Sequence, residues 1–103
     1  MENPVRKELE KFFERVISED QGSHILFIAS IASRKYILCL PKTRGEHVYG
    51  KLVRADAASS FDCKEIEYEP RGLYIFAKSI QELAAKVHSK LEQVDSQVEA
   101  ASR

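Results

Sequence analysis

The sequence has no tryptophan, two cysteines, three prolines and four glycines in 103 residues. Two cysteines are too few for the disulfide framework of a small secreted scaffold. Cys39 and Cys63 both sit in apolar, strand-like runs and read as buried free thiols, a state that suits a reducing compartment. The scarcity of Pro and Gly, with 44% hydrophobic and 31% charged residues, excludes a globally disordered chain. Long apolar runs are missing. The longest, Ile25 to Ile31, is far too short to span a bilayer, and the start MENPVRKELEKFFERV lacks the apolar core of a signal peptide. These features predict a protein of the cell interior, cytoplasmic or nuclear, without a membrane span. CxxC, HxxxH, GxGxxG and Walker-loop motifs are also missing, and His24, His47 and His88 are scattered, so neither a metal nor a cofactor is expected.

Net charge is zero, yet it is unevenly placed. Residues 34 to 54 carry six basic side chains against Glu46 alone, a local +5, while the flanking segments 1–20 and 55–103 carry −2 and −3. Such a basic island attracts phosphate, nucleic acid or an acidic protein, unless it merely solvates strand edges and turns.

Asn3 with Pro4 marks a helix start, and Val5, Leu9, Phe12, Phe13 and Val16 then share one helical face, predicting a helix over 4–18. His24 to Ala32 is apolar without alternation and reads as a central strand buried on both faces. Tyr36 to Leu40, ended by Pro41, and His47 to Arg54, with Gly50 at a bulge or close contact, read as the next two strands. Alternation in Cys63 to Glu69, with Glu65, Glu67 and Glu69 outward, predicts a fourth strand. The turn Glu69-Pro70-Arg71-Gly72 then leads to a fifth, Leu73 to Phe76. Ser79 and Glu82 form a capping box before the stripe Ile80, Leu83, Ala84, Val87 and Leu91, so a second helix follows. The pattern weakens after Val94, and residues 95–103 read as a frayed tail, although Val98 could extend the stripe into a homodimer contact. Residues 1–103 thus form a single α+β domain. Its central antiparallel sheet has four to five strands flanked by N-terminal and C-terminal helices. The expected core is Leu9, Phe13, Ile25, Phe27, Ile37, Cys39, Ile66, Ile75, Leu83 and Val87.

Catalysis finds little support in these residues. Cys39 and His47 could neighbour across a hairpin, but no acidic residue is placed to orient the base and no Gly-rich elbow supplies an oxyanion hole. Binding is the expected class. Ser30, Ser33, Arg34, Lys35, Lys42 and Arg44 are candidates for contacting an acidic or phosphorylated protein partner, with Arg34-Lys35 and Lys42-Arg44 at opposite ends of one strand. Tyr49, Lys51 and Arg54 are the alternative, a basic sheet face on which RNA bases would stack.

Three stretches resemble the SH2 domain. Gly22-Ser23-His24-Ile25-Leu26-Phe27-Ile28-Ala29-Ser30 is similar to that family's GSFLVRxS strand, Glu67 to Ile75 to its later hairpin, and Ser79-Ile80-Gln81-Glu82-Leu83 to the SLQEL opening its last helix. The strand Arg through which SH2 domains hold phosphotyrosine is absent here. The resemblance therefore implies a degenerate SH2-like module, either a scaffold or one contacting phosphate through Ser30, Ser33 and Arg34. Leu73 to Leu91 is also similar to the end of a pleckstrin-homology or EVH1-like barrel. The αβββα order is similar to the small Alu-domain proteins of the signal recognition particle. Those proteins bind RNA and are strongly basic, and the zero net charge here speaks against that likeness.

Overall fold

The computed structural model describes residues 4–42 and 48–101. In chain order it contains α1 (Pro4–Leu9), β1 (Arg15–Asp20), β2 (His24–Ile31), β3 (Arg34–Pro41), β4 (Val48–Arg54), a 3-10 turn (Ala55–Ala57), α2 (Cys63–Ile66), β5 (Leu73–Ala77), α3 (Ile80–Ser89) and α4 (Leu91–Ala101). The five strands form one antiparallel sheet whose spatial order equals the chain order. This is the expected α+β arrangement.

Strand side chains alternate between faces. One face sends Val16, Phe27, Leu38, Leu52 and Ile75 into the main core, where Val5 and Leu9 of α1, Leu83 and Val87 of α3, and Val94 of α4 cover them. The other face carries a smaller cluster, Leu26, Ile37, Cys39 and Val53, roofed by Cys63 and Ile66 of α2. Of the expected core, Leu9, Phe13, Phe27, Ile37, Cys39, Ile66, Ile75, Leu83 and Val87 are buried, and Ile25 is partly so. β2 is an interior strand, as expected, paired with β1 and β3 and buried on both faces through Phe27 and Ala29 on one and Leu26 and His24 on the other.

Four expectations are corrected. The first helix stops at Leu9. Turns carry the chain to Phe13, and the Glu14 N–H donates to Ser30 O at 2.9 Å, starting the ladder between β1 and β2. Val16 and Ile17 are β-branched, and only Val16 of β1 is buried, so this segment gains more as an edge strand than as a helix.

Cys63 to Ile66 is a helical turn, not a strand. Asp62 caps it, its side chain accepting from the Lys64 N–H at 3.0 Å, and Cys63 and Ile66, three residues apart, face the sheet together. Glu69 to Gly72 therefore links α2 to β5 and is not a hairpin turn.

Nor are the thiols free. Cys39 of β3 and Cys63 of α2 are joined in a disulfide with their Cα atoms 5.6 Å apart. Finally, the segment from Asp95 is not frayed as far as Ala101. α4 continues the chain, with Val94 and Asp95 buried against the sheet.

Other local expectations hold. The Glu82 N–H donates to Ser79 Oγ at 3.1 Å, although the Glu82 carboxylate accepts from Lys78 N–H rather than from Ser79. Gly50 packs closely, since a Cβ there would lie 2.7 Å from Leu40 Cδ1 and 2.9 Å from Cys39 O. The β2–β3 connection is a two-residue turn at Ala32 (φ 52°) and Ser33 (φ 66°), so Arg34 and Lys35 already belong to β3. Asn3, Arg44 and His47 lie outside the described residues.

Candidate anion-binding site

Each residue expected to bind a partner has a definite neighbourhood. Arg34 sits at the start of β3, where its Nη1 donates to Asp95 Oδ2 of α4 at 2.7 Å. Tyr36, two residues on, donates its hydroxyl to Asp95 Oδ1 at 2.8 Å. Arg54 at the end of β4 lies 3.5 Å from Asp95 Oδ1 and 2.6 Å from Asp56 Oδ2. Two strands and a helix thus meet on one buried carboxylate. Burial and the hydrogen bond to Asp95 push the Tyr36 hydroxyl above its ordinary pKa. Arg34 and Arg54 are engaged here rather than free for a ligand.

Lys42 lies at the far end of β3, as the sequence implied, and is paired with Asp20 at 2.7 Å. Lys51 is buried. Its ammonium donates to Glu69 O at 2.7 Å and lies 4.5 Å over the Tyr74 ring, and burial lowers its pKa. Tyr49 stacks on Phe76 with ring centroids 5.7 Å apart. The set Tyr49, Lys51 and Arg54 therefore offers one aromatic face and no free cation.

Ser30 and Lys35 have a different setting. The register places Arg15 opposite Ser30 and Ser30 opposite Lys35, so the three stand in one row across β1, β2 and β3. Directly paired residues share a sheet face. The row faces the side that α2 covers only in part, and it borders a pocket of about 230 Å³. Ile17, Ile28, Ala55 and Phe61 supply the apolar lining, with Ile17 and Phe61 about half exposed. Among the described residues, neither Arg15 nor Lys35 has a carboxylate within ion-pair distance. Ser33, Arg34, Lys35 and Arg54 line a smaller adjoining hollow of about 220 Å³, with Asp56 inside it.

No protein-family model, curated protein or solved structure matches this chain. Its site has to be read from its own chemistry.

The Cys39–His47 pair does not survive, because Cys39 has no thiol to activate. Ser23, His24 and Glu67 do form a hydroxyl–imidazole–carboxylate line, 2.7 Å at each step. A carboxylate only accepts, so His24 Nε2 is the donor toward Glu67. The nearby donors of an oxyanion hole are already used. Gly22 N–H donates to Asp20 Oδ1 at 2.8 Å and Ser23 N–H to Gln21 O at 3.1 Å. This line ties the end of α2 to the start of β2, and Gln21 in the β1–β2 turn holds the start of α2, donating to Phe61 O and accepting from Cys63 N–H. Among the described residues no cluster suited to a metal is found, and no helix is long and apolar enough to cross a membrane.

Sequence reasoning missed Arg15, Phe61 and Asp95. For Arg15 the available signal was the β-branched Val16-Ile17 pair inside a supposed helix.

Proposed function

We propose that the protein is a non-catalytic interaction module that takes an acidic or phosphorylated segment of a partner protein at the Arg15–Ser30–Lys35 row. One observation carries this reading: two cations and a hydroxyl stand side by side at an apolar pocket, with no carboxylate of the described residues to neutralise them. Guanidinium, ammonium and hydroxyl groups together suit the oxygens of a phosphate or carboxylate. Ile17, Ile28 and Phe61 would hold an apolar side chain next to that anion.

The SH2 likeness supports the same class. Ser30 closes the stretch that is similar to the phosphate-binding strand of that family, and Arg15 would supply from β1 the guanidinium that β2 lacks. Burial of Lys51 and pairing of Arg54 weigh against RNA, since phosphate neutralisation needs free cations. The reading includes a place inside the cell. There the disulfide would persist by burial, its residues Cys39 and Cys63 being at most 1% exposed.

An NMR titration of labelled protein with phosphotyrosine, a phosphopeptide pool and a short RNA tests the proposal. Shifts at Arg15, Ser30 and Lys35 with phosphopeptide, lost in Arg15→Ala and Lys35→Ala, are expected. Shifts with RNA alone at Tyr49 and Lys51, or silence with all three, would overturn it.

A further inference from the structure

A separate surface lies at the opposite edge of the sheet. β5 is the last strand, and among the described residues nothing pairs with its outer side. Its sequence, LYIFA, contains none of the devices that usually protect an edge, neither proline nor an inward charge. Two contacts reveal which backbone groups face outward. Gly72 N–H donates to Gln97 Oε1 of α4 at 2.6 Å, and Phe76 O accepts from Lys86 Nζ of α3 at 2.7 Å. Alternate residues of a strand present their N–H and C=O to the same side. Tyr74, midway between these two clips, therefore turns both backbone groups outward, and no side chain of the described residues meets them.

Between this edge and the helices runs a groove of about 520 Å³, whose helical wall is Lys86, Ser89, Lys90 and Gln93. No carboxylate lines it. Glu82 pairs with Lys86 from outside the groove, at 3.0 Å, and Lys90 has no such partner among the described residues. On the opposite side of β5, Tyr74 and Phe76 are about half exposed.

We infer that the β5 edge accepts an extended peptide of alternating acidic and apolar residues as a sixth strand. The peptide exchanges N–H and C=O bonds with Tyr74 and takes over the Phe76 carbonyl, releasing Lys86. Its residues on the helix side meet Lys86 and Lys90 and are acidic. Those on the other side pair with Tyr74 and Phe76 and are apolar. A second copy of this chain fits worse. A two-fold pairing of β5 with itself would bring Lys86 and Lys90 of both copies together.

The test uses the whole chain and two hexapeptides with blocked ends, Glu-Val-Glu-Val-Glu-Val and Lys-Val-Lys-Val-Lys-Val. The acidic peptide is expected to shift the Tyr74 and Phe76 amides and slow hydrogen exchange at Tyr74, binding at least tenfold tighter than the basic one. In the double variant Lys86→Glu, Lys90→Glu, whose changes are exposed, that preference should reverse. Equal binding of the two peptides, shifts confined to Arg15, Ser30 and Lys35, or concentration-dependent dimerisation through β5 without peptide would overturn the assignment.

Discussion

Replacing Asp95 by alanine should be one of the most damaging single changes away from the apolar core. Tyr36 is 2% exposed, and its hydroxyl would lose both contacts to the carboxylate, at 2.8 and 3.1 Å. An unsatisfied buried hydroxyl costs about 1–3 kcal/mol. Arg54, with a side chain 17% exposed, keeps Asp56 but loses its inner partner. Arg34 is half exposed, so its pair with Asp95 is screened by solvent and adds little. Together these losses amount to about 2–4 kcal/mol, against a total stability of about 5–15 kcal/mol for a domain of this kind. Urea unfolding followed by far-UV circular dichroism measures the cost, with an unchanged slope as the check on two-state behaviour. A thermal melt should move down by about 10–20 °C. Asp95→Asn, which keeps an acceptor for Tyr36, should cost less. In a cycle with Tyr36→Phe, the double variant should be more stable than the sum of the singles by about 1 kcal/mol. A cost under about 1 kcal/mol for Asp95→Ala, or no coupling to Tyr36, would refute the view that this carboxylate holds β3, β4 and α4 together.

Gly72→Ala should cost about 3 kcal/mol or more in the same assay, because φ is +99° and the new Cβ would lie 2.4 Å from Leu52 O and from Val53 Cγ1. Cys39→Ser with Cys63→Ser removes a link across 24 residues, which the loop-entropy model values at about 3.5 kcal/mol, and denaturant midpoints with and without reductant should agree with that size. Raising pH past the ordinary tyrosine value of 10.0 should erode stability through Tyr36. The folded pKa is raised, so the unfolded chain loses its proton first, and Tyr36→Phe should flatten the decline. Lys51 has the opposite sign. Its folded pKa is depressed by burial, so between that value and the ordinary 10.5 stability should rise with pH, and in Lys51→Met it should not.

How much was legible depended on whether the forces were local. β2, β3 and α3 could be read because their apolar runs and the Ser79 cap sit within a few residues. β1 could not, since Leu9, Phe12, Phe13 and Val16 satisfy a helical period and only the neighbouring edge of β2 makes a strand better. α2 was hidden by the Glu65-Glu67-Glu69 alternation, although Asp62 followed three residues later by Glu65 is itself a helix-start signal. In the candidate site, Ser30 and Lys35 were named but Arg15 was lost with β1. The engagement of Arg34 could not be foreseen, because Asp95 lies 61 residues away in sequence.

A sheet whose spatial order equals its chain order can be built without any crossover. Each strand, as it leaves the ribosome, finds its partner already made, and such neighbour-by-neighbour pairing favours rapid assembly. The lid comes late. Without residues 80–94, Phe27, Leu38, Leu52 and Ile75 would face water with only α1 to shield them. The five strands alone would thus make a sheet with ordered hydrogen bonds and an open apolar face, and α3 and α4 are what turn that sticky surface into the inside of a domain.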